Sequence, residues 1–457
     1  MSKNNYTSTA YQNLTDFVYG KALKPVSLKN GMVIGGGTVY PEINFTLPPM
    51  LVTKETMPEV IKNYKEIIEG ICVRARELHV PGFVAEIETV PPCTENPDWG
   101  IEVCKVVVDT IKEHESKHGI KGSVRITPND IREGNKLEHM WKGWHWEQML
   151  KTFDGSAKAG ADFMSVETVG GKETHDEGTM FCDIEKCIFA LSVLGCTDMG
   201  KVWTEIGKIA DKYGNVSAGD TACGFANTSM VLAEQNYIPR VFAAVDRVVT
   251  AVRSLVAFEC GAEGPDKDCA YEGPYIKAIT GCPISMEGKT SACAHLTSVG
   301  NAAMTLADIW SNESVQNIKL LGGMAPTCMF EMLVYDCRLM NEATKKGQAI
   351  MLRDLLAATD TPFDPTAYIM RPDVVLDISK GIVKANGHYG RCKEAAKLAV
   401  DALKKGCKDG DLKLNDKEAG WLDILGDTIA GMPSDVGEFT NKMLPQCEKL
   451  NPKFYDM

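Results

Sequence analysis

The stretch Phe163-Met-Ser-Val-Glu167-Thr-Val-Gly-Gly171 is a short apolar run that ends on a carboxylate and enters a glycine-rich loop. Two later stretches repeat this arrangement with cysteines: Val216-Ser-Ala-Gly-Asp-Thr-Ala-Cys223-Gly, and Leu255-Val-Ala-Phe-Glu-Cys260-Gly, which leads on to Lys267-Asp-Cys269-Ala. Carboxylates and thiolates bind zinc, and a catalytic zinc site has three protein ligands and an open fourth position. We therefore expect a zinc site built from loops that follow successive strands.

Apolar runs of strand type alternate with amphipathic helical stretches up to about residue 345, which is typical of βα units on a parallel sheet. Helical spacing is clear at Val103, Val107 and Ile111. No G-x-G-x-x-G opens a helix after the first strand, so a Rossmann fold is not indicated. The predicted helices include Glu59–His79, Trp99–His118, Trp146–Ala159, Asp183–Val193 and Gly200–Lys212. The predicted strands are Met32–Ile34, Gly82–Ile87, Gly122–Ile126, Phe163–Val166, Asn215–Ser217, Leu255–Phe258, Tyr275–Ile279 and Asn317–Leu321.

Eight strands with crossover helices favour an α/β fold of the (β/α)8 TIM-barrel type, which carries its chemistry on loops at the carboxyl ends of the strands. The strand signals fade after residue 345, and helices are predicted at Lys346–Thr359, Tyr389–Lys405 and Asn415–Gly431. We therefore expect a catalytic barrel with an N-terminal extension over residues 1–345. Residues 346–457 are expected to form a helical extension packed on that barrel.

The composition excludes several classes of protein. The net charge of −12 repels a phosphate backbone, which argues against a nucleic-acid partner. The N-terminus is polar, and no run of about 18 apolar residues predicts a membrane span. The 16 cysteines fit a reducing compartment, where most are buried small residues and a few are ligands. We expect a cytoplasmic protein.

Glu167 has an alternative interpretation, the position of Cys223 supports a thiolate, and the third ligand has rivals. A buried Glu167 needs a cation, which a barrel lysine or arginine would supply as well as a metal. Cys223 precedes a predicted helix at Thr228–Glu234, whose N-terminus favours a thiolate. Cys269 occupies a similar place before an apolar run. Cys260 and Cys282 are rival third ligands, and the spacing alone does not separate them from Cys269.

The sequence also contains an H-E-x-x-H pattern, His114-Glu115-Ser-Lys-His118. In zinc proteases the two histidines of this motif bind the metal and the glutamate acts as the base. Here the pattern lies in a charged last helical turn that ends at Gly119, which places it on the outer ring of the barrel. We therefore interpret it as a solvated helix end.

Three segments resemble the zinc-binding segments of the methanol:corrinoid methyltransferase family. They are Val166-Glu-Thr-Val-Gly-Gly, Ala218-Gly-Asp-Thr-Ala-Cys-Gly-Phe-Ala-Asn and Asp268-Cys-Ala-Tyr-Glu-Gly-Pro. The resemblance runs over nearly the whole chain and includes Arg371-Pro-Asp-Val-Val-Leu. It implies a zinc-bearing (β/α)8 barrel, with Glu167, Cys223 and Cys269 as the zinc ligands. It also implies a heterotetramer with two copies each of this chain and a corrinoid protein.

The implied reaction moves the methyl group of methanol to Co(I) of the corrinoid on the partner protein. This chain has no Asp-x-His-x-x-Gly corrinoid motif, so the corrinoid must be delivered to it. A proton donor is expected near the zinc, and the candidates are Glu88, Asp220 and the pair Asp360 and Asp364. Alternatives are a zinc hydrolase on the same barrel, a methyltransferase for another small methyl donor, and a scaffold subunit whose structural zinc is closed by a fourth ligand such as Cys260.

Overall fold

The structure is a computed structural model. The residues it describes are 5–45, 50–133, 138–289, 298–314, 319–320 and 323–457. The strands are, in chain order, β1 (Lys21–Ser27), β2 (Val33–Gly36), β3 (Tyr40–Phe45), β4 (Phe83–Glu88), β5 (Gly122–Thr127), β6 (Phe163–Val166), β7 (Val216–Asp220), β8 (Asp266–Asp268), β9 (Ile284–Glu287), β10 (Ile309–Ser314), β11 (Lys319–Leu320) and β12 (Gly323–Met324).

Helices fill most of the remaining described chain. Those of the first part are α1 (Met57–Glu77), α2 (Pro91–Glu95), α3 (Pro97–His118), α4 (Trp144–Ala159), α5 (Lys172–Met180), α6 (Ile184–Phe189), α7 (Cys196–Tyr213), α8 (Thr228–Glu234), α9 (Arg240–Glu259) and α10 (Gly273–Thr280). Those of the last part are α11 (Ala325–Lys345), α12 (Ala349–Asp360), α13 (Pro365–Ile369), α14 (Pro372–Ile382), α15 (Gly387–Asp409), α16 (Asp416–Gly431) and α17 (Val436–Met443). None of these described helices is both long enough and apolar enough to span a membrane.

Strands β3 to β10 form one 8-stranded sheet with the order β7-β6-β5-β4-β3-β10-β9-β8, and every hydrogen-bonded neighbour pair is parallel. The two end strands, β7 and β8, also contact each other. Beside them the N–H of Glu263 donates to the carbonyl oxygen of Ser217 at 2.8 Å. The sheet therefore closes on itself, and the predicted (β/α)8 barrel is confirmed.

The first half of the barrel follows its sequence signals closely. Strands β4 to β7 overlap the predicted strands, and α1, α3, α4 and α7 cover predicted helices. Gly119, Gly160 and Gly214 end α3, α4 and α7 with positive φ values of 69°, 109° and 65°. This left-handed conformation is open to glycine, and it turns the chain directly into the next strand.

Two predicted strands are helices. Leu255–Phe258 lies in α9 and Tyr275–Ile279 lies in α10. Helix α9 packs between the barrel and the helices α7 and α15, and nearly all of its residues are buried. An apolar run on such a helix has no polar face, so its period does not distinguish it from a buried strand.

The barrel strands that the prediction lacked are β3, β8, β9 and β10. The predicted strand Met32–Ile34 overlaps β2, which pairs antiparallel with β1 outside the barrel. Of the predicted strand Asn317–Leu321, only Lys319–Leu320 is among the described residues. These two residues form β11, which pairs antiparallel with β12.

The three helices predicted after residue 345 correspond to α12, α15 and α16. Helix α15 packs along α9, and Arg391 on α15 forms a 2.5 Å ion pair with Glu259 on α9. The C-terminal helices are thereby attached to the outer layer of the barrel.

Candidate metal centre

Three barrel strands carry the predicted ligands to one place. Glu167 follows β6 directly, Cys269 follows β8 directly, and Cys223 comes shortly after β7. One ligand atom of each residue lies within 4.8 Å of the other two, and Cys269 Sγ is 3.6 Å from Glu167 Oε1. Zinc binds sulfur at about 2.3 Å and carboxylate oxygen at about 2.0–2.2 Å, so three atoms at this spacing fit around one ion.

The rival ligands Cys260 and Cys282 lie at the end of the barrel opposite to the cluster of Glu167, Cys223 and Cys269. Cys260 ends α9 and precedes β8, whereas Cys282 precedes β9, so both are at the amino ends of strands. Cys260 Sγ is 3.7 Å from the carbonyl oxygen of Gly200, and Cys282 lines a separate cavity. The structure does not bring either one to Glu167.

A short π-helical turn, Cys223–Asn227, presents the second ligand. Its wide winding brings the Asn227 side chain back to the start of the turn, where Nδ2 is 2.9 Å from Cys223 Sγ. The N–H of Ala222 donates to Glu272 at 2.6 Å, which ties this turn to the loop that follows Cys269. π-Helical turns are rare and occur often at functional sites.

Lys267 supplies the cation that a buried glutamate requires. Its Nζ is 2.6 Å from Glu167 Oε1, 3.0 Å from Glu88 Oε1 and 3.7 Å from Glu86 Oε1. The expected ion pair of Glu167 is therefore present within the metal-ligand cluster. One ammonium group faces three carboxyl groups, with Cys269 beside them. The site consequently has an excess of acidic groups.

Burial favours the protonated forms of Glu167 and Cys269 in this site. Burial raises the pKa of Glu167 to about 7, although Lys267 opposes the rise. Burial also raises the pKa of Glu88, but Lys267 and a hydrogen bond with Glu167 outweigh it and hold that pKa below its usual value. Burial and the neighbouring Cys223 raise the pKa of the Cys269 thiol well above its usual range. A divalent cation would displace these protons, because ligands bind metals in their deprotonated forms.

A cavity of about 180 Å³ opens beside the cluster. Glu167 and Glu88 line it, with side chains that are 28% and 18% exposed. A water molecule occupies about 30 Å³ in the liquid, so the cavity admits a small organic molecule next to the ligands. Among the described residues, its other walls include Thr127, Lys172 and Gly224.

The four carboxyl groups proposed as proton donors lie in different places. Asp220 is fully buried, and its oxygens accept hydrogen bonds from Arg253 and Trp203 at 3.1 and 3.3 Å. Asp360 accepts from two backbone N–H groups, and Asp364 caps α13. Of these four candidates, Glu88 alone lines the cavity at the metal cluster.

The His114–His118 pattern occupies the last turn of α3 on the outer helical layer, with His118 exposed. A second cluster of candidate ligand atoms, His175, Cys187 and Asp246, is fully buried. In it, His175 Nε2 lies 2.9 Å from Asp246 Oδ1, and Ser229 donates to Asp246 at 2.6 Å. These polar groups satisfy one another, which is what buried groups require.

Sequence reasoning missed Lys267, Asn227 and Glu272. A signal for Lys267 was present, because it lies two residues before Cys269, and alternate residues of a strand share a face. The roles of Asn227 and Glu272 depend on the π-helical turn and on contact between loops that are distant in the sequence.

Comparison with known proteins agrees with this geometry. The family model of the methanol-cobalamin methyltransferase B subunit matches residues 3–456. The methanol–corrinoid protein co-methyltransferase of Methanosarcina barkeri (strain Fusaro / DSM 804) is 37% identical over 449 residues, which cover 97% of this chain and 96% of that protein.

Among solved structures, the methanol:cobalamin methyltransferase complex MtaBC from Methanosarcina barkeri contains a matching chain with a TM-score of 0.94 and 36% identity. The match covers 99% of this chain and 100% of that chain. The family match, the sequence relative and the structure agree over essentially the full length, and the chain belongs to the methanol-cobalamin methyltransferase B subunit family.

Proposed function

We propose that this chain transfers the methyl group of methanol to Co(I) of a corrinoid carried by a partner protein, with zinc held by Glu167, Cys223 and Cys269. The supporting observation is the three-residue cluster at the carboxyl ends of β6, β7 and β8, beside a cavity large enough for methanol. The Methanosarcina barkeri relative and the matching complex are named for this chemistry.

The reaction needs help at oxygen, because hydroxide is a poor leaving group. Zinc held in this site would act as a Lewis acid and polarise the C–O bond of the alcohol. The chain contributes the placement: Glu167, Cys223 and Cys269 would hold the metal, and the cavity beside them leaves room for the alcohol. The ammonium group of Lys267, 2.6 Å from Glu167 Oε1, offsets part of the negative charge of the ligands.

Glu88 is the proposed proton donor. As Co(I) attacks the methyl carbon, its electron pair forms the C–Co bond and the C–O electron pair leaves with oxygen. Against the effect of burial, Lys267 and Glu167 hold the pKa of Glu88 low, so Glu88 takes up a proton from solvent and delivers it to the departing oxygen, and the products are methyl-Co(III) and water. Glu88 lines the cavity and lies 3.0 Å from Lys267 Nζ, which fixes its position.

The corrinoid partner has to dock on the face where the strands carry their carboxyl ends, since cobalt must come within bonding distance of the methyl carbon. We further propose an assembly of two copies of each chain, a division of this chain into the barrel unit 1–345 and the helical extension 346–457, and a cytoplasmic location. All cysteines of the described part are free, which is consistent with a reducing compartment. Co-purification from the host, followed by mass measurement of the complex, tests the partner and its stoichiometry.

The test of the function follows the absorption spectrum of Co(I) cobalamin mixed with the zinc-loaded protein. We expect conversion to methyl-Co(III) with methanol present and no conversion without it. Hydrolytic turnover in the absence of any corrinoid would instead support a zinc hydrolase. Methylation from a different donor but not from methanol would show that the substrate is another small methyl donor. Zinc binding without any turnover would support a structural subunit.

A further inference from the structure

The loop that follows Glu167 is fixed by side chains rather than by a strand or helix. Four consecutive backbone N–H groups, those of residues 168–171, each donate to a different side chain. The pairs are Thr168 to Asp220 at 3.3 Å, Val169 to Asp130 at 3.1 Å, Gly170 to Asp198 at 3.1 Å and Gly171 to Tyr455 at 2.7 Å. The direction in which the chain leaves Glu167 is therefore set by these four acceptors.

The three aspartates are held within the barrel unit by buried arginines. Arg132 bonds to Asp130 at 2.6 Å and to Asp198 at 2.8 Å, while Arg253 bonds to Asp220 at 3.1 Å. All five side chains are buried. A paired and hydrogen-bonded charge network of this kind is a rigid support for the loop.

The fourth acceptor comes from the other end of the chain. Tyr455 lies in a single 3₁₀ turn, Pro452–Tyr455, and is 9% exposed. Its ring meets Trp141 edge to face, with centroids 6.1 Å apart. The N–H of Met140 donates to the carbonyl oxygen of Phe454 at 3.2 Å. The C-terminal segment is therefore docked on the chain just before α4, with the Tyr455 hydroxyl directed at the ligand loop.

Gly171 packs against Ala190 and Leu194, while another side of the loop borders a cavity. A cavity of about 540 Å³ lies between the loop and the C-terminal segment, lined by Val169, Gly171, Lys172, Leu450 and Tyr455 among others. It shares Val169 and Lys172 with the smaller cavity that contains Glu167. Because a cavity replaces side-chain contacts here, the hydrogen bond from Gly171 to Tyr455 holds this side of the loop.

We propose that Tyr455 is a positioning residue for the metal ligand Glu167. Its hydroxyl fixes Gly171, the residue that precedes α5, and this keeps the Glu167 carboxylate directed at Cys223 and Cys269. The inference rests on the proposed function, because it takes Glu167 as a metal ligand. It adds a contribution of the C-terminal segment to the geometry of the metal centre.

The test compares Tyr455→Phe with Tyr389→Phe in the full-length zinc-loaded protein. Tyr389 is a suitable control because it is also buried in the C-terminal helices, and its hydroxyl donates to a backbone carbonyl, that of Pro433, at 2.6 Å. Both changes remove one hydroxyl and keep the ring. Three quantities are measured: zinc affinity by chelator competition, amide hydrogen exchange of residues 168–171, and the oxygen contribution to the zinc X-ray absorption spectrum.

Removing a hydrogen bond in the outer shell of a metal site typically costs about 10–100-fold in affinity. Tyr455 acts on the ligand through the backbone, so we expect a smaller loss of about three- to tenfold for Tyr455→Phe. Exchange of residues 168–171 should become faster, and the zinc–oxygen contribution should weaken. Tyr389→Phe should change none of these three quantities.

Unchanged zinc affinity and unchanged exchange in Tyr455→Phe, together with loss of zinc in Glu167→Gln, would overturn this inference alone. Zinc retained at wild-type affinity in Glu167→Gln would overturn the proposed metal site, and the positioning role would fall with it. The two failures are thus distinguished by the Glu167→Gln variant.

Discussion

Two groups of charged side chains inside the barrel differ in their charge balance. The Arg125 cluster consists of Glu42, Arg125, Ser165 and Ser285, and the Lys267 cluster consists of Glu86, Glu88, Glu167 and Lys267. In the Arg125 cluster, the arginine forms an ion pair with Glu42 at 2.6 Å, both side chains are fully buried, and Ser285 donates to the second glutamate oxygen at 2.6 Å. Glu86 and Asp266 act on Arg125 from a greater distance. In the Lys267 cluster, one lysine faces three carboxyl groups.

The comparison shows how a structural ion pair differs from a functional site in the same barrel. A balanced pair with hydrogen-bonded oxygens needs no further ligand. An excess of buried acid is unfavourable unless protons or a cation neutralise it, and burial raises the pKa values of Glu86 and Glu167 to about 7. The imbalance of charge therefore marks the proposed metal centre better than the mere presence of charged residues.

The strongest way to break this contrast is to remove one of the two cysteines that, with Glu167 of the Lys267 cluster, form the proposed metal site. Cys269→Ala and Cys223→Ala should each lower zinc content and reduce methyl transfer by on the order of 10³-fold or more, because several kcal/mol of transition-state stabilisation is lost with the metal. Zinc content is measured by atomic emission, and methyl transfer by the Co(I) spectrum. As a control, His118→Ala, on the exposed end of α3, should retain both.

Removing the proposed proton donor should separate catalysis from metal binding. Glu88→Gln keeps the shape of the side chain, so zinc content should stay near the wild-type value, while the rate should fall by about 10²–10⁴-fold, the usual contribution of general acid catalysis. The matched control is Asp360→Asn, a carboxyl group that binds backbone N–H groups away from the cavity, and its rate should be unchanged. A normal rate in Glu88→Gln would show that the proton comes from elsewhere.

Breaking the balanced cluster should affect stability rather than chemistry. Arg125→Met leaves Glu42 buried without its partner, and losing one member of a buried pair costs about 3–5 kcal/mol in the free energy of unfolding. Zinc per folded chain should not change. The control Lys212→Met removes an exposed ion pair with Asp154, measured at 2.6 Å, and should cost at most about 1 kcal/mol. Chemical denaturation measures both, and equal effects would contradict the contrast between buried and exposed pairs.

The pH dependence of zinc binding should report the proton on Glu167. Its pKa is about 7 without metal, so the carboxyl group is protonated at pH 6 and ionised at pH 8. Zinc binds the ionised form, so affinity should rise with pH through this range, and the number of protons released on binding should fall by about one between pH 6 and pH 8. Calorimetry in buffers of different ionisation enthalpy measures this number, and equal release at both pH values would contradict the assignment.

The sequence and the structure agree best where local signals and tertiary contacts coincide. From β4 to α7, strands and helices alternate with clear periods and glycine caps, and every element except the short helices α2 and α5 was predicted. In the second half of the barrel, β8 is a three-residue strand, Asp266–Asp268, and reads as polar loop, while the buried α9 contains an apolar run that reads as a strand. The type of these elements is decided by what they pack against.

The sequence by itself determined the fold class and the ligand types, because strand ends that run into Glu167, Cys223 and Cys269 are local features of the chain. The spacing alone left Cys269, Cys260 and Cys282 open as the third ligand. The tertiary structure places Cys269 beside Glu167 and Cys223, because Cys269 follows its strand whereas the other two precede theirs. The tertiary structure likewise brought Lys267 into contact with three glutamates from β4 and β6, and Tyr455 into contact with Gly171. The physical reason is that barrel closure joins residues that are up to hundreds of positions apart, and no pattern of neighbouring residues encodes those distances.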